Sequence, residues 1–141
     1  MFGASFSRTP AAALLLLTLV PAAACAGALA IGQTEDLAKD GYSIGIAVNA
    51  ASDTVAQRAA LAWCRNNGSP QTRAQCKVIE AFRNRCVAEA NDPAPGTPGA
   101  GWAVGDDKKA AEEKAMEMCL ATAGESRRLF CKVAQLLCDG P

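Results

Sequence analysis

The sequence predicts a single α+β domain in which two helices pack on one mainly antiparallel sheet, in the order β-α-β-β-β-α-β, held by three disulfides. Three observations predict it. A motif recurs along the chain, apolar residues fall at helical spacing in both copies, and the cysteines become an even set once the N-terminal one is set aside.

Cys76-Lys77-Val78 recurs as Cys131-Lys132-Val133, 55 positions on, and Cys64 and Cys119 keep the same offset. The match runs back through Ala56, Ala60, Trp63 and Cys64, which fall on Ala111, Ala115, Met118 and Cys119. The spacing i, i+4, i+7, i+8 is one stripe of an amphipathic helix, so two matched helices are expected. Ser52-Asp53 and Asp106-Asp107 supply the side-chain oxygens that cap helix starts. Gly68 and Gly124 follow the two ends, where a left-handed residue is wanted. Lys108 with Glu112 and Lys109 with Glu113 are i, i+4 pairs on a solvent face.

Ile44, Ile46 and Val48 alternate before the first helix, and Trp102 and Val104 before the second. After the helices, Cys76 to Phe82 and Cys131 to Leu137 are apolar on both parities, the pattern of interior strands. Arg83-Asn84-Arg85 reads as a turn and Cys86 to Ala90 as a further strand. The prolines and glycines of residues 91–101 make that segment an exposed loop. Trp63 and Trp102 are expected in the core rather than as ligand platforms.

The N-terminus reads as a signal peptide over residues 1–28. Arg8 precedes an apolar segment from Ala11 to Val20, then Pro21 and a run of small residues, with cleavage near Ala26 or Ala28. The apolar segment is well short of the ~20 residues that span a bilayer, so no transmembrane span is expected. Residues 29–40 then form a flexible leader and 41–139 the stapled domain. A second reading keeps Cys25 as the lipid-anchored first residue of a lipoprotein, and plain cleavage is favoured over it.

Either way Cys25 leaves the pool, and Cys64, Cys76, Cys86, Cys119, Cys131 and Cys138 remain. In an oxidising compartment six cysteines point to three disulfides, and they allow fifteen pairings. The recurring pattern narrows these, because equivalent cysteines should pair equivalently. Cys131 and Cys138 lie too far apart along one strand to be bridged. Cys64–Cys76 and Cys119–Cys131 are expected to tie each helix end to the next strand, with Cys86–Cys138 joining the two halves.

Ile46-Ala47-Val48, the helix end Ala62-Trp63-Cys64, the Cys76-Lys77-Val78 strand with Phe82, Asn84 and Cys86, and Gly101-Trp102-Ala103-Val104-Gly105 carry a resemblance. Over residues 42 to 138 the chain resembles the bacterial domain-of-unknown-function family 4189. It lacks the glycine- and aromatic-rich stretch usual there between first strand and first helix. The resemblance implies export and a stapled fold. It implies no activity and no site residues.

Composition closes off several chemistries. The 141 residues hold 14 Lys and Arg against 14 Asp and Glu and no histidine, so a nucleic-acid partner is not expected. Without histidine there is no Ser-His-Asp or Cys-His set, and no C-x-x-C spacing exists for redox or zinc work. No cofactor and no metal are expected. Gly41-Tyr42-Ser43-Ile44-Gly45 matches the nucleophile-elbow pattern, but it precedes a strand and has no histidine base. Gly99-Ala100-Gly101 precedes a helix, yet its spacing fits no phosphate loop and Asp106-Asp107 would repel phosphate.

Two functions remain. The chain is expected to be a periplasmic or secreted bacterial protein that binds another envelope protein, such as an inhibitor or an immunity-type protein. The binding residues expected are Arg83 and Arg85 on the basic turn and Asp92 and Thr97 in the Pro/Gly loop. The alternative is a small envelope enzyme using carboxylates, with Glu80 at the sheet centre as its acid. The plainer reading pairs Glu80 with Lys77 or an arginine.

Overall fold

The computed structural model describes residues 25–140. The expected signal sequence therefore lies, for its first 24 residues, outside the described residues. The elements are β1 (Ala26–Gln33), α1 (Leu37–Asp40), β2 (Tyr42–Ala50), α2 (Asp53–Asn66), α3 (Pro70–Ala74), β3 (Lys77–Phe82), β4 (Cys86–Asn91), β5 (Ala100–Gly105), α4 (Lys108–Thr122), a 3-10 turn at Glu125–Phe130, and β6 (Lys132–Cys138). The α+β class holds, and from β2 onward the order of strands and long helices is the one the sequence predicts.

The sheet is divided in two. One antiparallel sheet runs β2-β1-β3 and the other β5-β4-β6. Each half of the chain thus reads β-β-α-β with its first strand in the middle. Leu29, Ile31 and Phe82 of one sheet meet Val87 and Val104 of the other in a shared buried cluster, with Ile44, Ile46, Val48, Trp102 and Leu137 around it. The sheets therefore face one another, and the helices lie outside: α2 on β1 through Ala26, Ala28 and Ala30, α4 on β4 through Cys86, Ala88 and Ala90.

The segment expected as a flexible leader, residues 29–40, is mostly structured. Its first part completes β1, whose Ala26, Ala28 and Ala30 are wholly enclosed. Cleavage after Ala26 or Ala28 would cut into that strand. The small side chains that look like a processing site are small because α2 lies directly on them. β3 and β6, expected in sheet interiors, are edge strands. As edges they leave apolar side chains open to solvent: Ile79 is 47% exposed, and Ala81 and Ala134 are exposed as well.

Close packing of helix on strand explains two glycines. A Cβ on Gly45 would stand 1.9 Å from the Ala60 carbonyl oxygen, and one on Gly101 2.1 Å from that of Ala115. The buried stripe is Ala56, Ala60 and Cys64 in α2 and Ala111, Ala115 and Cys119 in α4. Trp63 is not in the core: it lies at the stripe's margin and is 62% exposed. Ser52 caps α2 by accepting from the Val55 N–H, and Asp107 caps α4 by accepting from Ala110 at 2.7 Å.

All three expected disulfides are present: Cys64–Cys76, Cys119–Cys131 and Cys86–Cys138. The first two span 12 positions each and the third 52, worth about 3 and about 4 kcal/mol respectively on a chain-entropy account. Cys86–Cys138 does not join the halves. Cys86 and Cys138 are register partners on β4 and β6, so the bond lies within one sheet. Among the described residues no helix is long and apolar enough to cross a membrane.

Candidate functional site

Four binding residues were expected from sequence, and β4 separates them into two pairs. Arg83 and Arg85 precede the strand and Asp92 and Thr97 follow it. A six-residue strand puts these ends roughly 20 Å apart. At the first end, Asn84 takes the left-handed φ of 51° in the turn between β3 and β4. Arg83 pairs with Asp53 at 2.9 Å, and Arg85 bridges Glu80 at 2.6 Å and Asp106 at 3.1 Å. Glu80 is therefore the partner of an arginine, as the plainer reading has it. Its strand equivalent, Gln135, is exposed.

The other end holds a cleft of about 490 Å³ between the start of β2, the end of β4 and the loop at residues 92–99. That loop is shorter than the expected 91–101, because β4 reaches Asn91 and β5 begins at Ala100. It is also less free. Asp92 has a fully enclosed side chain and receives a two-pronged bond from Arg127, Nε to Oδ2 at 2.7 Å and Nη2 to Oδ1 at 2.8 Å. This arginine bond holds the Asp92 carboxyl below its ordinary range, against the opposing effect of desolvation. Asp92 Oδ1 also accepts from the Ala94 N–H at 3.0 Å, and the Thr97 hydroxyl donates to the Ala94 carbonyl at 2.8 Å. The Asp92 N–H donates to the Gly99 carbonyl at 3.0 Å and closes the loop's base. Arg127 comes from the 3-10 turn, where its guanidinium lies 4.1 Å over the Phe130 ring.

At the cleft floor, β4 carries a buried acid. Along β4, Ala88 and Ala90 face α4, so the opposite parity turns Val87 and Glu89 toward the other sheet. Glu89 is 8% exposed, and its Oε1 accepts from the Tyr42 hydroxyl at the start of β2. Asn91 Nδ2 donates to that same hydroxyl at 3.0 Å. The Tyr42 ring packs 5.4 Å from Trp102, tilted by 40°. Burial first, then the bond to Glu89 and its charge, push the phenol's pKa well above its ordinary value near 10. Tyr42 thus keeps its proton and acts as the donor.

Sequence reasoning missed Tyr42, Glu89, Asn91 and Arg127. A signal for Glu89 was present: in Val87-Ala88-Glu89-Ala90 the acid shares the parity of Val87, and both its neighbours are small. Asp92 and Thr97 do belong to this end of the molecule. Arg83 and Arg85 do not. Among the described residues no group of three or more cysteine, aspartate or glutamate side chains is placed to hold a metal ion.

A family model described as a domain of unknown function, DUF4189, matches residues 26–138. No curated protein matches the chain, and no solved structure does.

Proposed function

The chain belongs to the family described as domain of unknown function DUF4189, and from that premise we propose that it is an exported cell-envelope protein that binds another protein. Three disulfides suit an extracellular or secreted chain. One observation carries the binding reading: the 92–99 loop is exposed at Pro93, Pro95 and Gly96, yet it is tied down by the Arg127–Asp92 fork and three further bonds. An exposed loop held in one shape loses little entropy on association, which is what a recognition surface needs. The carboxylate-enzyme alternative rests on Glu80, and that side chain is engaged by an arginine which also holds Asp106.

The test is capture from envelope extracts with tagged protein, comparing wild type with Arg127→Ala and with Arg83→Ala. A partner retained by wild type and Arg83→Ala, and lost from Arg127→Ala with all three disulfides intact, supports the loop surface. Equal retention by all three proteins, or turnover of an envelope substrate that stops in Glu80→Gln, overturns it.

A further inference from the structure

We propose that the floor of the 490 Å³ cleft is a binding site for a primary ammonium group carried on an alkyl stem, with Glu89 as its counter-ion. The placement rests on the binding reading only in using the same cleft. A free amine would fill the site even if no protein partner docked on the loop.

The protein's buried acids are satisfied in different ways. Asp92 has Arg127. Asp139 accepts from two backbone N–H groups, those of Asn49 at 2.7 Å and Asn84 at 3.1 Å. Glu89 is the exception, because its one partner is the Tyr42 phenol, which takes Oε1. Among the described residues Glu89 belongs to no ion pair, and Oε2 accepts no hydrogen bond. Yet among the described residues no enclosed side-chain oxygen lacks a partner. Oε2 is therefore not sealed in, and its opening is the cleft that Glu89 lines. A carboxylate more than nine-tenths buried, with one oxygen offered to a cavity, lacks the compensation that such groups need. A cation entering the cleft supplies it.

The geometry selects among cations. A guanidinium binds a carboxylate best through two parallel bonds to both oxygens, but Tyr42 already occupies one. A single open oxygen suits an ammonium, a compact charge with three donors. The amide oxygen of Asn91, which among the described residues has no protein partner either, belongs to a side chain lining the same cleft and adds a second acceptor there. Around the floor, Leu37, Ile44, Pro93 and Pro95 give apolar walls along which methylene groups can lie. The size is within the range of small-ligand pockets, roughly 300–1,000 Å³. With Asp92 neutralised by Arg127, Asp40 and Glu89 still line the cleft against one cation, Lys39, so its field also favours positive charge.

The test titrates the purified exported protein, disulfides intact, with n-pentylamine, Nα-acetyl-lysine N-methylamide, methylguanidine and n-pentanol, following amide chemical shifts by NMR. Both amines should give saturable shifts centred on Gly41, Asn91 and Gly99, methylguanidine should bind several-fold more weakly, and pentanol should give none. Glu89→Gln keeps the shape and an acceptor for Tyr42, and it should weaken amine binding at least about tenfold, the worth of a hydrogen bond to a charged group. Glu80→Gln should leave binding unchanged. Tighter binding of the lysine derivative would assign the ammonium to a polypeptide side chain, and tighter binding of pentylamine to a free amine. No saturable shift, shifts elsewhere, equal binding of pentanol, or unaltered affinity in Glu89→Gln overturns the site. If Glu89→Gln does not fold, the location of the wild-type shifts and the order of ammonium over guanidinium decide. A failed partner capture beside successful amine binding sinks only the protein-binding reading. The reverse sinks only this one.

Discussion

The Tyr42 hydroxyl of β2 donates to the Glu89 carboxylate of β4, joining the two sheets at the floor of the cleft, while Asn91 donates to the same hydroxyl from 3.0 Å. Because Tyr42 is the one tyrosine in the chain, its titration can be read directly by phenolate absorbance. The native state keeps a proton that the unfolded chain releases near pH 10. The stabilisation is whole below about pH 10 and is lost as pH climbs above it. After a jump to pH 11, phenolate should appear only as fast as the protein unfolds. Immediate ionisation in the folded protein would show that the phenol is not held.

Asp92 has the opposite sign. Its carboxyl is held below the ordinary range by Arg127, so its contribution is complete above the unfolded value of ~3.9 and is lost as pH falls through the lowered native value. Acid should therefore release the 92–99 loop. The Ala94 and Asp92 amide protons should lose exchange protection below about pH 4, while amides in the middle of β4 retain it. In Arg127→Ala the same loss is expected at neutral pH.

Gly45→Ala and Gly101→Ala should each destabilise by at least about 1–3 kcal/mol, because the new methyl would overlap helix backbone that side-chain repacking cannot move. Denaturant unfolding of the two variants checks this. Similar losses are expected in both, since each glycine meets the same turn of its own helix.

β1 separates two placements of the mature N-terminus. A chain beginning at Cys25 or Ala26 should fold, and one beginning at Leu29 should not, because it lacks Ala26 and Ala28, which are wholly enclosed under α2. If the chain is exported and cleaved, as proposed, N-terminal sequencing of the mature protein should accordingly give a start no later than Ala26. A stable, cooperatively folded Leu29 chain would show that β1 is dispensable.

The two long helices, their N-terminal caps, the turn at Asn84 and the disulfide partners were legible because each rests on a stripe, a capping oxygen or a spacing. The short α1 and α3 carry no stripe. Sheet order was not, since it depends on which strands meet across the whole chain. β1 was missed for a related reason. Ala26, Gly27, Ala28 and Ala30 have the composition of a processing site, and only the closeness of α2 shows why a central strand should be so small. Trp63 shows the limit of a helical stripe, whose edge residues are as apolar as its centre but end in solvent. The cleft was half legible: the loop stood out through its prolines and glycines, whereas Glu89 looked like any acid in a strand. Arg127, far along the chain in a 3-10 turn, gave no local sign of clamping Asp92.

The disulfide pattern has a consequence for how such a chain would mature if threaded into an oxidising compartment from its N-terminus. Thiols bonding in order of arrival would give Cys64–Cys76, then Cys86–Cys119, then Cys131–Cys138. The native set keeps only the first of these. Cys86 has to wait while Cys119 and Cys131 pass it and close on each other, and only then meet Cys138. A catalyst that merely oxidises would trap the second half in the wrong connectivity, and escape requires thiolate attack on an existing bridge. Maturation of this protein should therefore depend on a disulfide isomerase, and the first half of the chain, up to Phe82, should not.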